Sequence, residues 1–189
     1  MRRSPGVVEP ADFRVDAERA ALVVVDVQEA FRKGVPNFDE VARGSAVLVE
    51  AAREVGLPIL VTEQYPRGLG ATVPEVAERL PDDHPRLEKL AFSAPAAEGF
   101  DLGGRTQAIV CGIEAHVCVS HSVLDLLEQG VEVHVVTDAV GSRAPENREL
   151  GLRKAERAGA VLTSVETVLF ELVREAGTPE FKRLQELVK

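Results

Sequence analysis

The amino-acid sequence predicts an α/β protein of three layers, in which helices cover both faces of a central, mainly parallel sheet of five or six strands. Three observations support this fold class. Short, almost wholly apolar runs rich in valine and isoleucine are typical of buried parallel strands. Segments with apolar residues at helical spacing separate these runs, which favours right-handed crossovers. The chain has 189 residues, 45% hydrophobic and 28% charged, which is typical of one globular domain.

The elements follow one another in a regular alternation. Five stretches have the apolar character of buried strands: 21–26, 57–64, 106–113, 131–138 and 160–164. Six stretches have helical spacing with glycine or proline at their ends: 38–56, 72–81, 118–128, 145–159, 165–177 and 179–189. The segment RLEKLAFS, residues 86–93, is ambiguous and is interpreted as extended, with Lys89 near its middle. The chain shows no repeat or linker, so we expect one domain over residues 1–189 with an irregular arm at 1–19.

Composition and charge limit the classes of partner. A formal net charge of −9 argues against nucleic acid or an anionic membrane as the main partner, because both need a basic surface. No apolar run has the ~20 residues of a membrane span. The start of the chain lacks the apolar segment of a secretory signal. Its two cysteines, Cys111 and Cys118, form no disulfide framework, so the expected location is the cytoplasm.

Chemically capable side chains follow the predicted strands at the point where each strand ends. Asp26 closes the first strand, and Cys118 opens the helix after the third. Ligands of open α/β sheets bind beyond the carboxyl ends of the strands, so these residues are expected to share one edge. At a helix N-terminus, free backbone N–H groups favour a thiolate. Cys111, inside the apolar run AIVCGI, is assigned to the core.

Each candidate has a structural interpretation beside the functional one. Asp26 fixes a loop or acts as a general base. Lys89 is a surface lysine with a buried stem, or a cation that bridges Asp26 and Cys118 and lowers the pKa of the thiol. Cys118 fills space, or it is a nucleophile. Together the three form an Asp–Lys–Cys nucleophilic site, with helix N-terminal amides as the oxyanion hole.

These residues carry a resemblance to a known family. VVVDVQEAF, the lone lysine in LEKLAFS, and VCGIEAHVCVSHSVLDLLEQGVEVHVVTDAVGSR resemble the isochorismatase-like cysteine hydrolase superfamily over residues 20–175. TEQYPRGLGATVPE further resembles its isochorismatase domain-containing group. The resemblance implies a Rossmann-like hydrolase fold with Asp26 as base, Lys89 as its partner and Cys118 as nucleophile. It also implies a cis peptide between Ile113 and Glu114, with the amides of Glu114 and Cys118 directed into the oxyanion hole.

Departures from the family pattern narrow the expected activity. Zinc-dependent nicotinamidases carry Asp-x-His after the second strand, whereas EQYPRG here has no histidine, so we expect no metal and no cofactor. Glu114 and Ala115 stand where many amidases of the family have a threonine, which argues against nicotinamide-type recognition. True isochorismatases cleave a vinyl ether and do not need the cysteine. Cys118 therefore favours acyl transfer on a small amide or carbamoyl substrate.

Two alternatives stay open from the sequence: an isochorismatase-type ether hydrolase, and a non-catalytic binding or scaffold member of the fold. The resemblance also implies a homo-oligomer, dimer or larger, and the two C-terminal helices offer candidate surfaces. A small pocket is expected beside the nucleophile. Its walls and polar groups are assigned by their positions after the strands: Gln28, Phe31, Tyr65, Leu69, Phe92, Ile113 and Glu114.

Overall fold

A single six-stranded parallel sheet organises the protein. The computed structural model describes residues 13–189, so residues 1–12 of the arm predicted at 1–19 lie outside the described residues. The strands, in chain order, are β1 Ala20–Val25, β2 Ile59–Gln64, β3 Arg86–Lys89, β4 Gln107–Ile113, β5 Glu132–Gly141 and β6 Val161–Thr163. Their spatial order is β3-β2-β1-β4-β5-β6, and every neighbouring pair is parallel. The central strands β1 and β4 are buried along their whole length.

Helices cover both faces of this sheet. They are α1 Phe38–Glu54, α2 Pro66–Leu69, α3 Pro74–Ala77, α4 Cys118–Glu128, α5 Pro145–Ala158, α6 Val165–Val173 and α7 Pro179–Glu186. Two short 3-10 turns lie at Glu29–Phe31 and Ala94–Ala96. Among the helices within residues 13–189, none is both long and apolar enough to cross a membrane.

Two apolar cores fix the layers. On one face, alternate strand residues such as Leu22 and Ile109 pack with α1, α6 and α7. On the other face, the intervening residues, such as Val23 and Val110, pack with α4 and α5. Because successive side chains of a strand point to opposite faces, a fully apolar strand serves both cores at once. The three-layer α/β/α fold predicted from the sequence is therefore confirmed.

The structure adds elements at the carboxyl edge that the sequence left undefined. The ambiguous segment 86–93 contains the edge strand β3, which ends at Lys89. The helix expected over 72–81 is a single turn, α3, and a further turn, α2, precedes it. Prolines begin both turns, and such short helices carry too little hydrophobic spacing to be read from the sequence.

One buried side chain in the sheet has no polar partner. His134 in β5 has no exposed surface, and neither ring nitrogen is hydrogen-bonded among the described residues. Burial lowers the pKa of His134 to about 4, and the positive charge of Arg19 acts in the same direction while Glu132 opposes it. A neutral imidazole in an apolar sheet resists protonation, because the charged form would lose its hydration.

This histidine predicts an acid-sensitive contribution to stability. Its pKa in the unfolded chain is about 6.5. As the pH falls from 7 to 4.5, the unfolded chain binds a proton that the folded chain does not, so His134 removes about 2 kcal/mol from the free energy of unfolding. Urea denaturation of the wild type and of His134→Leu at both pH values measures this contribution. We expect a smaller loss in the variant, and equal losses in the two proteins would contradict the assignment.

Candidate active site

Asp26 is fixed at the carboxyl edge of the sheet, directly after β1. It is fully buried, and its backbone adopts a positive φ of 52°. Its N–H donates to the carbonyl of Thr62 at 3.1 Å, and the Thr62 hydroxyl donates to Oδ1 at 2.7 Å. Because β2 lies beside β1 in the sheet, Thr62 holds the carboxylate in one orientation. The other oxygen, Oδ2, is left to face Lys89.

Lys89 forms a buried ion pair with this carboxylate. The distance from Lys89 Nζ to Asp26 Oδ2 is 2.6 Å, and the two side chains are 1% and 0% exposed. The ammonium also donates to Gln64 Oε1 at 2.8 Å and to the carbonyl of Phe92 at 3.1 Å. A lysine is buried at this depth only when its charge and its donors are satisfied. The interpretation of Lys89 as a surface lysine is therefore wrong.

Cys118 begins α4 beside this ion pair. β1 and β4 are adjacent, so the chain that follows β4 brings the cysteine next to Asp26. The Asp26 carboxylate is near enough to raise the pKa of the thiol, and the thiol is directed at Gln64 Oε1, 3.9 Å from the sulfur. The Ser122 hydroxyl donates to the Cys118 carbonyl at 2.7 Å and accepts from the N–H of Ala94. That bridge fixes the first turn of α4 against the segment after β3.

The protonation state of Cys118 differs from the sequence-based expectation. Burial raises the pKa of the Cys118 thiol to about 12, and the charge of Asp26 and its hydrogen bond to the thiol act in the same direction. Lys89 and the N–H of Glu114 lower it, but less strongly. Lys89 does not produce a thiolate, because burial and the charge of Asp26 raise the pKa more than Lys89 lowers it. The resting site therefore holds a thiol with a carboxylate acceptor beside it.

The backbone amides of Glu114 and Cys118 flank the turn that leads into α4. The N–H of Glu114 is directed at Cys118 and favours its charged form. Within residues 13–189, no backbone carbonyl accepts a hydrogen bond from the N–H of Glu114 or of Cys118. The peptide bond between Ile113 and Glu114 is cis, as the family resemblance implies. N–H groups that no backbone carbonyl engages are the kind of donor that a developing oxyanion requires.

The side chain of Glu114 has a different partner. Its carboxylate is almost fully buried and accepts from the backbone N–H of Arg143 at 2.9 Å and from its Nε at 3.0 Å. Arg143 thereby fixes the loop after β5 over the turn that leads to Cys118. The pocket role predicted for the Glu114 side chain is not supported by this arrangement, because both oxygens are engaged within the protein.

The predicted pocket residues fall into two groups. Tyr65 and Phe92 are 52% and 51% exposed, and the Phe92 ring lies 5.7 Å from that of His121, one turn after Cys118. Leu69 ends α2 and is half-buried. A cavity of about 310 Å³ lies at this edge, lined by Tyr65, Pro66, Arg67, Glu88, Lys89 and Leu90.

The other predicted wall residues lie away from this cavity. Ile113 is fully buried in the core on the α1 face, whereas Cys118 packs in the core on the α4 face. Phe31 packs at the margin of the α1-face core. Gln28 is fully buried, donates to the carbonyls of Gln64 and Gly70, and accepts from the N–H of Gln64. In this structure Gln28 braces the loop after β2 and Ile113 fills the core, so neither side chain is open to a substrate.

Two residues of the site were missed in the sequence. Thr62 and Gln64 lie at the carboxyl end of β2 and contact Asp26, Lys89 and Cys118. The rule that strand ends face the ligand, which identified Asp26, also applies to Gln64. Among residues 13–189, no group of three or more histidine, cysteine, aspartate or glutamate side chains is arranged to hold a metal ion.

Sequence comparisons place this chain among known proteins. The model of the isochorismatase domain matches residues 20–167. The chain is 40% identical over 183 residues to the secreted isochorismatase effector Isc1 of Phytophthora sojae (strain P6497), covering 93% of this chain and 87% of that protein. It is 38% identical over 179 residues to isochorismatase domain-containing protein 2A of Mus musculus, covering 93% and 85%.

Solved structures share the architecture. The MAR1 ribonuclease from Caenorhabditis elegans superposes with a TM-score of 0.86 at 40% identity, covering 93% of this chain and 92% of that one. The YcaC gene product from Escherichia coli, described as an octameric hydrolase of unknown specificity, gives a TM-score of 0.80 at 27% identity, covering 92% and 90%.

Proposed function

The chain belongs to the isochorismatase family, and from that premise we propose that it is a cysteine-dependent hydrolase acting on a small amide or carbamoyl compound. Family membership supports a hydrolase; the cysteine mechanism and the C–N bond are our proposal. One observation carries it. The thiol of Cys118 lies in the electrostatic field of a fully buried carboxylate, Asp26, which a lysine 2.6 Å away and a threonine hydroxyl hold in place.

Formation of an acyl-enzyme is the first step of the proposed reaction. As the Cys118 sulfur attacks the substrate carbonyl carbon, the thiol proton passes to Asp26. The raised pKa of Cys118 makes this coupling necessary, because a thiol that is not ionised beforehand needs a base at the moment of attack. The carbonyl π electrons move to oxygen, and the N–H groups of Glu114 and Cys118 stabilise that oxyanion.

Collapse of this adduct releases the first product. The oxyanion re-forms the carbonyl, the C–N bond breaks, and Asp26 returns its proton to the departing nitrogen as ammonia or an amine leaves. A water molecule then attacks the thioester while Asp26 accepts its proton. The C–S bond breaks, the acid product leaves, and the proton returns to the sulfur. Lys89 keeps the carboxylate oriented throughout and compensates its charge.

The cavity beside Lys89 supports a small substrate. Its volume of about 310 Å³ lies at the lower end of the range for small-molecule sites, about 300–1,000 Å³. Exposed Tyr65 and Leu90 supply apolar surface in its lining, and Arg67 supplies a positive charge. A compact compound with one carbonyl and an apolar or anionic substituent fits these surroundings.

The chemistry of the site favours the proposed hydrolase over other functions of this fold. A vinyl ether hydrolase would not need the thiol, and a scaffold protein would not need a buried ion pair directed at it. The name of the nematode ribonuclease gives one specific reason to consider RNA as a substrate. The net charge of −9 favours a small molecule instead, because RNA binding depends on neutralising phosphates.

A substrate panel tests this proposal. Purified protein is incubated with small amides, carbamates, ureas, a vinyl ether and a single-stranded RNA, beside a Cys118→Ala variant of verified fold. We expect turnover of at least one C–N substrate, lost in Cys118→Ala, and no cleavage of RNA. Turnover of the vinyl ether or RNA that persists in Cys118→Ala would overturn the cysteine mechanism.

We also infer a homo-oligomer and a small-molecule partner. The octameric state reported for YcaC supports self-association. The C-terminal helices were predicted as surfaces for self-association. In the structure α6 offers little exposed apolar area, because most of its apolar side chains are buried and Phe170 remains 39% exposed. The cytoplasmic location stays a prediction, since one relative is named as secreted.

A further inference from the structure

The geometry points to Gln64 as a positioning residue: its side-chain amide holds the Lys89 ammonium away from the Cys118 sulfur in the resting site. This inference rests on the proposed function, because it assigns a role to a residue of the same site. Gln64 is the last residue of β2 and contacts both the lysine and the cysteine.

The orientation of the Gln64 amide is fixed by its surroundings. Its backbone N–H donates to Gln28 Oε1 at 2.8 Å, and its side-chain Nε2 donates to the carbonyl of Leu90 at 2.8 Å. Because Nε2 is held by a carbonyl, Oε1 faces the opposite way, into the site. There it accepts from Lys89 Nζ at 2.8 Å and lies 3.9 Å from Cys118 Sγ.

The hydrogen bonds of Lys89 show what this contact does. An ammonium group has three N–H donors. In Lys89 these reach Asp26 Oδ2 at 2.6 Å, Gln64 Oε1 at 2.8 Å and the Phe92 carbonyl at 3.1 Å. All three donors are engaged, so none is directed at the cysteine sulfur. Removing the Gln64 acceptor would release one N–H beside the sulfur.

Two replacements of similar size give opposite expectations. Gln64→Met removes the acceptor, so the freed Lys89 donor stabilises the Cys118 thiolate and lowers the thiol pKa by about 1 unit. Gln64→Glu adds a negative charge next to the sulfur and raises that pKa by about 1 unit. Both variants retain Asp26 and Lys89, the two charged side chains that act on the thiol, and the Glu114 carboxylate stays paired with Arg143.

Alkylation by iodoacetamide at pH 8 measures the difference. The sulfur forms a C–S bond as iodide leaves, and mass spectrometry follows the Cys118 peptide. We expect labelling about threefold faster in Gln64→Met and about threefold slower in Gln64→Glu, because a tenfold change in thiolate is partly offset by nucleophilicity. A purely structural role for Gln64 would move both rates in the same direction. Rates that move together, or that equal the wild-type rate, overturn the inference.

Matched controls separate this result from general effects. Gln129→Met and Gln129→Glu, at the exposed far end of α4, are expected to leave the Cys118 rate unchanged. Labelling of fully buried Cys111 reports any opening of the fold. If one Gln64 variant fails to fold, Gln64→Asn withdraws Oε1 and carries the expectation for Gln64→Met. Substrate turnover that survives in Cys118→Ala would end the proposed function, yet it would leave the labelling comparison valid.

Discussion

Replacing Asp26 with asparagine is expected to reduce kcat/KM by about 10³-fold in hydrolysis of the substrate that the panel identifies. The amide has nearly the same shape but accepts no proton at neutral pH. Because the pKa of Cys118 is raised to about 12, the thiol is protonated and depends on that carboxylate during attack. Steady-state kinetics at pH 7.5, with thermal unfolding as a check on the fold, measure the loss.

The matched control is Asp16→Asn. Asp16 lies far from the cysteine, and its carboxylate pairs with Arg174 at the surface. It is expected to retain wild-type kinetics. A site with a preformed thiolate would respond differently, because removal of the neighbouring negative charge would assist rather than impair attack. Activity of Asp26→Asn above a tenth of the wild-type value would therefore contradict Asp26 as the general base.

Gly112→Ala is expected to have the largest effect on stability, a loss of more than about 4 kcal/mol or a failure to fold. Gly112 lies in β4, one residue before the end of the strand, with a φ of 122°. A Cβ built there would lie 2.0 Å from the carbonyl oxygen of Val25 and 2.7 Å from its carbonyl carbon. These are backbone atoms of the neighbouring strand, so relief of the clash requires β1 and β4 to separate.

Gly159→Ala is the control that separates the two causes of lost stability, the steric clash of the new Cβ and the strain of a positive φ. Gly159 has a similar φ of 110°, but a Cβ there meets no atom within 4 Å. Its replacement is expected to cost only about 1–2 kcal/mol from backbone conformation. Chemical denaturation of both variants gives the comparison. Equal losses would show that the close approach of β1 and β4 at Gly112 does not constrain the sheet.

The sequence predicts the architecture because two of its features indicate a buried parallel sheet. β1 and β4 are wholly apolar, as strands buried on both faces must be, and long helical segments separate them. The edge strand β3 stayed ambiguous in the sequence, where 86–93 was interpreted only as extended, since four residues pair with β2 and two of them are charged at exposed or half-buried positions. That segment forms a strand because the fold brings it beside β2, and not because its sequence is apolar.

The candidate catalytic residues could be predicted from the sequence, but their environment could not. Asp26, Lys89 and Cys118 follow from strand-end positions and from the family pattern, and the structure brings them together. The direction predicted for the Cys118 pKa was wrong, because burial of the thiol and the charge of Asp26 raise the pKa more than Lys89 lowers it, and the spacing of residues encodes neither the burial nor the distances. Gln64 and Thr62 were missed for the same reason: their roles arise from side-chain contacts between β1, β2 and β3.

The proposed mechanism requires a covalent acyl intermediate on Cys118, which mass spectrometry of the protein during turnover detects. A substrate from the panel is mixed with enzyme, quenched with acid within milliseconds to seconds, and digested for peptide mapping. We expect the peptide that contains Cys118 to gain the mass of the acyl group. The Cys118→Ala variant and the Cys111 side chain should show no such gain. Turnover that proceeds with no adduct on Cys118, or at an undiminished rate in Cys118→Ala, would contradict the proposed mechanism.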